Sequence, residues 1–210
     1  MPLTAGRQGP TKTTRAGSDP PATNPALEWL WKYLHDVPNP LILDCGPVFQ
    51  ATVDVLLRRG VKVHVADLVT PLLKGEARLW NRSGKVPVFR VKEFLELFPE
   101  TRPGALTVIF GWHLLDLLPR QAHPEVVNRW LSCLQSGGVL FCLLREPYLP
   151  KGAETLWWLE NLNTLASGRE GSKPFPYPAV TNREMERLLP PGSVKTFLTR
   201  SGRREVLAIK

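Results

Sequence analysis

Residues 41–68 constrain the fold of this chain more than any other segment. Their sequence, LILDCGPVFQATVDVLLRRGVKVHVADL, has the pattern of a short apolar strand, a tight turn, a helix and a second strand. Each strand pattern is closed by an acid, Asp44 in the first and Asp67 in the second. In open α/β folds ligands bind beyond the carboxyl ends of parallel strands, where an acid can accept hydrogen bonds from ribose hydroxyls. The segment therefore predicts a βαβ unit with a nucleoside-like ligand at its strand ends.

The rest of the chain continues the alternation of strand and helix patterns. Strands are predicted at residues 41–44, 61–66, 86–91, 105–110 and 139–144. Helices are predicted after Asn24-Pro25 and His123-Pro124, from the capping box at Thr181, and at about residues 51–59, 70–80, 93–98 and 153–165. Such alternation is typical of a parallel sheet covered by helices on both faces. Residues 166–180 have no periodicity and are predicted to form a loop.

The pattern at the C-terminal end of the sequence differs from this alternation. Two strand patterns, residues 194–199 and 205–209, are separated by the short turn sequence RSGR. Because no crossover helix fits between them, the two strands are predicted to pair antiparallel. We therefore expect an α/β fold with a doubly wound, mostly parallel Rossmann-like sheet ending in an antiparallel hairpin. Residues 1–23 are predicted to be a disordered basic tail, and residues 24–210 one domain.

Composition indicates an ordinary globular protein. The 210 residues are 43% hydrophobic and 22% charged, and no apolar run is long enough to cross a bilayer. The N-terminal sequence lacks the apolar stretch of a secretory signal, so we expect a cytoplasmic location and no membrane partner. Three cysteines without a CxxC spacing are expected to be reduced, and the four isolated histidines predict no metal site.

The net charge of +8 favours anionic partners, including nucleic acid. However, the basic residues are scattered, and aromatic residues do not alternate with them as they do in a platform for single-stranded nucleic acid. Arg58 and Arg59 have a simpler explanation, since cations at a helix C-terminus interact favourably with the helix dipole. Nucleic-acid binding is therefore the less favoured interpretation, and the sequence predicts no oligomeric state.

Several motifs together resemble the class I S-adenosylmethionine-dependent methyltransferases. The matching pieces are LILDCG, VHVADL, VIFGWHLLDLLP, LSCLQSGGVLFCLL and the closing VKTFLTRSGRREVLAIK. They follow the family's order of elements over about residues 24–210, and they resemble most a divergent bacterial branch. The resemblance implies S-adenosyl-L-methionine as cofactor and a small or medium-sized methyl acceptor. It does not indicate which acceptor.

The resemblance also implies positions for the cofactor. Asp44 and Gly46 would line its methionine end, Asp67 would bind the ribose hydroxyls, and Leu68 would flank the adenine. The exit of the fourth strand would border the same site. The implied cofactor-binding residues are Asp44, Gly46, Pro47, Asp67, Leu68, Phe110, Gly111 and Trp112.

The candidates for catalysis follow the fourth and fifth strands, where the acceptor would bind. They are His113, Asp116 and Tyr148. His113 is a candidate general base, although a buried structural histidine is an open alternative. Asp116 can equally be a turn or cap residue, and residues 145–148 can contact the acceptor or anchor a loop.

The turn after the first strand departs from the family pattern. Val48, Phe49 and Gln50 stand where further glycines are common, and larger side chains narrow the space for a ligand. This departure leaves a second hypothesis open, a catalytically inactive methyltransferase-like module that acts through protein contacts. A third, an NAD(P)-dependent oxidoreductase, predicts a GxGxxG turn after the first strand, and the sequence lacks one.

Overall fold

The structure is a computed structural model, and it describes residues 24–146, 156–168, 175–199 and 203–210. The predicted tail at residues 1–23 and the candidate Tyr148 lie outside the described residues. The strands are β1 (Leu41–Asp44), β2 (Lys62–Val65), β3 (Trp80–Asn81), β4 (Val88–Phe89), β5 (Leu106–Trp112), β6 (Leu134–Arg145), β7 (Leu156–Asn161), β8 (Thr164–Gly168), β9 (Val194–Leu198) and β10 (Arg203–Ile209). The α-helices are α1 (Pro25–Tyr33), α2 (Gln50–Arg58), α3 (Val69–Lys74), α4 (Val91–Leu95), α5 (Leu114–Leu117), α6 (His123–Cys133) and α7 (Asn182–Leu188).

The main sheet has six strands in the order β2-β1-β5-β6-β10-β9. The first four strands pair in parallel, while β10 pairs antiparallel with both β6 and β9. Neighbouring side chains of β1 point into different core clusters, Ile42 into one and Leu43 into the other. Both faces of the sheet are therefore covered. The predicted doubly wound sheet with an antiparallel C-terminal hairpin is confirmed.

Two predicted helix starts have the expected caps. Asn24 caps α1, because its Oδ1 accepts a hydrogen bond from the Leu27 amide at 2.9 Å and Pro25 follows it. The Asn24 Nδ2 atom also donates to Glu205 Oε1 at 2.5 Å, which ties the start of α1 to β10. Thr181 and Glu184 form the predicted capping box at α7.

The helix predicted at residues 153–165 is wrong, because residues 156–168 form the antiparallel hairpin β7–β8. Asn161 Oδ1 accepts a hydrogen bond from the Asn163 amide at 2.9 Å, and this local bond stabilises the turn between the two strands. Tandem Trp157 and Trp158 also favour a strand, since aromatic residues pack well on a pleated surface. Residues 166–168, which were predicted to be the start of a loop, belong to β8.

The third predicted strand does not join the main sheet. Within residues 86–91 only Val88–Phe89 is a strand, and it pairs with β3 in a separate two-stranded ribbon. The predicted helix at residues 70–80 ends early at Lys74, because Gly75 adopts a left-handed conformation with φ 64°. The chain is thereby free to form the ribbon, and β2 is left as an edge strand of the main sheet. In the part of the chain that is described, no helix combines the length and apolar character needed to span a bilayer.

Candidate functional site

Asp44 and Asp67 lie close to each other at the carboxyl edge of the sheet. Asp44 ends β1, where it pairs with Val65 of β2 and Phe110 of β5. The Asp44 carbonyl accepts the Ala66 amide at 2.8 Å, so the chain after β2 passes directly beside it. The Asp67 carboxylate is close enough to contribute to the titration of Asp44. The βαβ unit thus brings the two acids together, as the sequence predicted.

The Asp44 carboxylate is buried, with 2% of the residue exposed. Its Oδ1 atom accepts hydrogen bonds from the Gly46 amide at 2.9 Å and from Trp112 Nε1 at 2.5 Å. Burial raises the pKa of Asp44 to about 6, the two hydrogen bonds oppose that rise, and the Asp67 charge adds to it. Asp44 is therefore partly protonated near pH 6, and its Oδ1 atom is already bonded to two groups of the protein itself.

Trp112 occupies the space above Gly46. A Cβ atom placed on Gly46 would lie 2.6 Å from both Cδ1 and Nε1 of the Trp112 indole. Trp112 has a positive φ of 42°, an uncommon conformation for a bulky residue, and its ring stacks on Phe110 with centroids 5.6 Å apart. In this conformation the indole fills the space above Gly46, where the resemblance would place the methionine end of a cofactor.

The bulky residues of the first turn do not fill this space. Val48 is 66% exposed, and Phe49 packs against Trp158 of the β7–β8 hairpin with ring centroids 4.9 Å apart. The sequence suggested that Val48 and Phe49 narrow the space for a ligand. In the structure it is Trp112 that occupies the space above Gly46. No pattern of residues predicts this position, because the direction of the indole depends on the backbone conformation of Trp112.

The other predicted cofactor residues lie in different environments. Asp67 Oδ1 accepts the amide of Thr70, the second residue of α3, at 2.8 Å, while Leu68 is buried in the core. Gly111 faces away from the cleft, since a Cβ there would lie 2.9 Å from the Trp130 ring. Pro47 is half-buried in the turn after Gly46. The assignment of these residues to a cofactor stays a prediction.

His113 and Asp116 form a buried pair directly after β5. His113 Nδ1 lies 3.1 Å from Asp116 Oδ2, and the exposed fractions of the two side chains are 3% and 0%. A carboxylate can only accept, so the neutral imidazole carries its hydrogen on Nδ1 and presents a lone pair on Nε2. Among the described residues, His113 Nε2 has no hydrogen-bond partner. The pair therefore has the geometry of a histidine general base whose ring is oriented by a carboxylate.

Asp116 is held in place from two further segments. Its Oδ2 atom accepts the Arg145 amide at 2.7 Å, and its Oδ1 atom accepts the Val180 amide at 3.4 Å. Asp116 therefore joins the end of β6 to the segment that precedes α7, in addition to orienting His113. Both readings left open by the sequence, a turn residue and a site residue, are compatible with these contacts.

The β7–β8 hairpin covers this edge of the sheet, a role that the sequence analysis missed. The Leu159 amide donates to Thr52 Oγ1 at 3.0 Å, which anchors the hairpin on α2. The Trp157 ring lies 6.2 Å from the His113 ring, and Phe175 lies 5.3 Å from His113. The Arg203 guanidinium stacks over Trp157 at 3.9 Å. The sequence signal that could have indicated this role is the pair Trp157 and Trp158, which follows β6.

The site contains no evident metal centre. Across the described residues, no group of three or more His, Cys, Asp or Glu side chains could hold a metal ion. Cys45, Cys133 and Cys142 are buried and free, and burial raises the pKa of the Cys45 and Cys142 thiols. These thiols are therefore not activated nucleophiles.

The fold and the strand-end acids define an α/β protein of the Rossmann-like class. No family model matches the chain, and no curated protein matches it. Among solved structures, a SAM-dependent methyltransferase from Methanosarcina mazei is similar at 15% identity and a TM-score of 0.48, over 87% of this chain and 96% of that one.

Two further solved structures have similar chain paths. The 1,6-didemethyltoxoflavin-N1-methyltransferase of Burkholderia thailandensis, with bound 1,6-didemethyltoxoflavin and S-adenosylhomocysteine, has 18% identity and a TM-score of 0.48, over 89% of this chain and 76% of that one. A SAM-dependent methyltransferase from Leishmania major has 13% identity and a TM-score of 0.46, over 88% of this chain and 71% of that one. Identities this low leave the activity and the acceptor to be argued from the residues of this chain.

Proposed function

We propose that this chain is a SAM-dependent methyltransferase for a small or medium-sized acceptor, with a cofactor cleft that the Trp112 indole occupies in the conformation described above. The observation that carries the proposal is the buried His113–Asp116 pair, which follows β5 directly and whose Nε2 atom has no hydrogen-bond partner among the described residues. This is the place where a Rossmann-like sheet binds its ligands. The motif resemblance supports the cofactor, and the fold supports the position of the cleft.

His113 is the group that removes a proton from the acceptor. Its Nε2 lone pair accepts the proton of an O–H or N–H group, while Asp116 holds the ring and stabilises the charge that forms on it. The bound cofactor supplies an electrophilic methyl group. Because the rings of Trp157 and Phe175 cover His113, an acceptor reaches Nε2 when one of these rings moves.

Asp44, Gly46 and Asp67 are the residues that would hold the cofactor. For this to happen the Trp112 indole has to leave the space above Gly46, which also frees Asp44 Oδ1. The positive φ of Trp112 favours such a change, since a bulky residue in this region costs on the order of 1 kcal/mol and is held by its contacts. Two of those contacts are the bond to Asp44 and the stack on Phe110.

The test is binding of S-adenosylhomocysteine, which is measured by titration calorimetry and by the shift in melting temperature. We expect weak binding by the natural chain and about tenfold or tighter binding by Trp112→Leu, because the cleft is then open. A ligand at 100 times its Kd stabilises a protein by about 2.7 kcal/mol, so saturating ligand gives a measurable shift. Asp67→Asn in the Trp112→Leu background should weaken binding again. Trp29→Leu, a tryptophan of α1, is the matched control.

A second candidate is the catalytically inactive module that acts through protein contacts. The specific observation that favours it is the hydrogen bond from Trp112 to Asp44, because the bonded indole fills the cleft above Gly46. It predicts no binding of S-adenosylhomocysteine at millimolar concentration by either the natural chain or a folded Trp112→Leu variant. That result would exclude the methyltransferase proposal.

A further inference from the structure

A cavity lies beside the predicted cofactor cleft and shares no lining residue with it. Its volume is about 340 Å³, and it is bounded by α3, the β3–β4 ribbon, the end of α5 and the segment that begins at Phe175. Leu72, Leu73, Trp80, Arg82, Leu117 and Tyr177 are among the residues that line it. A volume of this size is within the range of about 300–1,000 Å³ that is common for small-molecule sites.

Two arginine side chains hold the wall that carries Tyr177 by donating three hydrogen bonds to its backbone carbonyls. Arg145 Nη2 donates to the Tyr177 carbonyl at 2.6 Å. Arg120 Nη2 donates to the carbonyls of Pro178 and Ala179, at 3.0 and 2.6 Å. Arg145 ends β6 and Arg120 lies just before α6, so this segment is held from two separate elements. The cavity is therefore a preformed space rather than a gap under a loose loop.

The chemistry of the walls is apolar and aromatic, with a single cation at the rim. Leucines of α3 and α5 form one side, and Trp80 and Tyr177 contribute rings. The Trp80 ring packs against the Phe89 ring, with centroids 5.1 Å apart. Tyr177 is partly buried, and this burial raises the pKa of its phenol. Flat rings bind well to such surfaces because they bury area and stack with little loss of entropy.

Arg82 gives the cavity its polarity. Its side chain is exposed at the rim, and within the described part of the chain it makes no ion pair. The nearby acid Glu76 is paired with Arg78 instead, at 2.9 Å. A guanidinium binds carboxylates through two parallel hydrogen bonds, which gives both strength and orientation.

We infer that this cavity binds a flat aromatic carboxylate of one or two rings, with the rings between α3 and Trp80 and the carboxylate on Arg82. The inference is independent of the proposed function, because it uses none of the residues of the cleft or of the His113–Asp116 pair. The ligand of the cavity is chemically different from the cofactor of the proposed function.

The experiment uses 2-naphthoate as the probe and its neutral analogue 2-naphthamide as the matched ligand. Binding to the full chain is measured by ligand-observed NMR and by titration calorimetry. We expect saturable binding of 2-naphthoate, and Arg82→Gln should weaken it about tenfold while changing 2-naphthamide less than twofold, since only the carboxylate uses the charge. Leu72→Trp should abolish the binding of both by filling the cavity. Arg78→Gln, which removes a nearby charge outside the cavity, should change neither.

Three outcomes would overturn the inference. The first is no saturable binding of 2-naphthoate by the natural chain, and the second is an equal effect of Arg78→Gln and Arg82→Gln, which would indicate a general attraction of the basic protein. The third is displacement of the probe by S-adenosylhomocysteine, which would move the probe into the cleft at Asp67. Circular dichroism of each variant verifies the fold, and because Arg82 is exposed its substitution leaves the core intact.

Discussion

Trp112 Nε1 donates a hydrogen bond to Asp44 Oδ1 at 2.5 Å, so two residues that the sequence assigns to the cofactor are bonded to each other. The indole lies over Gly46, and the buried carboxylate has lost most of its solvation. The environment of Asp44 combines burial, which raises its pKa, with the indole bond, which opposes that rise and holds the ring over Gly46. The first two predictions follow from it.

The first prediction concerns the pH dependence of stability. The pKa of Asp44 rises from 3.8 to about 6 on folding, so the folded state holds more protons than the unfolded state between these values. The free energy of unfolding therefore falls as pH rises through this window, by up to about 3 kcal/mol, and is flat above it. Urea denaturation of the natural chain and of Asp44→Asn should show curves that diverge by this amount between pH 4 and pH 7.

Asp44→Asn keeps an oxygen that accepts both hydrogen bonds and removes the charge, so it isolates the titration. Asp54→Asn is the matched control, since Asp54 bonds Gln50 in an exposed pair on α2. Parallel curves for the natural chain and Asp44→Asn would show that the carboxylate titrates normally and would contradict the prediction.

The second prediction concerns the fit between Gly46 and Trp112. Gly46→Ala places a methyl group 2.6 Å from the indole, and overpacking of this kind costs about 1–3 kcal/mol. In Trp112→Leu the ring is absent, so the same substitution should cost much less. A double-mutant cycle measured by urea denaturation should give a coupling energy above about 1 kcal/mol.

Gly84→Ala serves as the control for this cycle, since the nearest atom to a Cβ at Gly84 is 3.9 Å away. Additive effects of Gly46→Ala and Trp112→Leu would mean that the indole does not lie over the turn in solution.

The third prediction concerns the attachment of the β7–β8 hairpin to α2. Thr52→Val keeps the shape of the side chain but removes the oxygen that accepts the Leu159 amide. The buried amide then lacks its partner, at a cost of about 1–2 kcal/mol. Hydrogen exchange of the Leu159 amide should accelerate about 5- to 30-fold. Thr196→Val on the exposed strand β9 should leave that rate unchanged, and an unchanged rate in Thr52→Val would show that the hairpin is held without this bond.

The fourth prediction concerns the tautomer of His113. Because Asp116 accepts from Nδ1, the neutral ring should carry its hydrogen on Nδ1, whereas free histidine favours Nε2. Long-range proton–nitrogen NMR correlations at about pH 9 report the tautomer directly. Asp116→Leu removes the acceptor and should weaken the preference for Nδ1. Finding the Nε2–H form in the natural chain would remove the base that the proposed function needs.

The fold was predictable because its signals are local and periodic. Residues 41–68 contain an apolar run, a turn, a helix and a second run, and β1, α2 and β2 follow that pattern closely. The sequence singled out His113 and Asp116 as separate candidates, and the structure shows that they pair across one helical turn. The cap at Asn24 and the capping box at Thr181 depend on the same kind of local chemistry.

The parts that were not predicted depend on contacts between distant segments or on single backbone conformations. Residues 156–168 carry aromatic residues that suit a helix or a strand, and the bond from Leu159 to Thr52 of α2 stabilises the hairpin. The early end of α3 comes from the left-handed conformation of Gly75. The closure of the cleft comes from the φ of Trp112, which no periodic pattern encodes.

The position of β10 between β6 and β9 has a consequence for how the protein acquires its structure. Glu205 on this strand bonds Asn24, which starts α1, across 181 positions of sequence. A nascent chain on the ribosome therefore cannot close its sheet until residue 209 has emerged, and until then β6 exposes an unpaired edge. Such distant pairings slow folding, so we expect an interval in which the edge of β6 is open to chaperones.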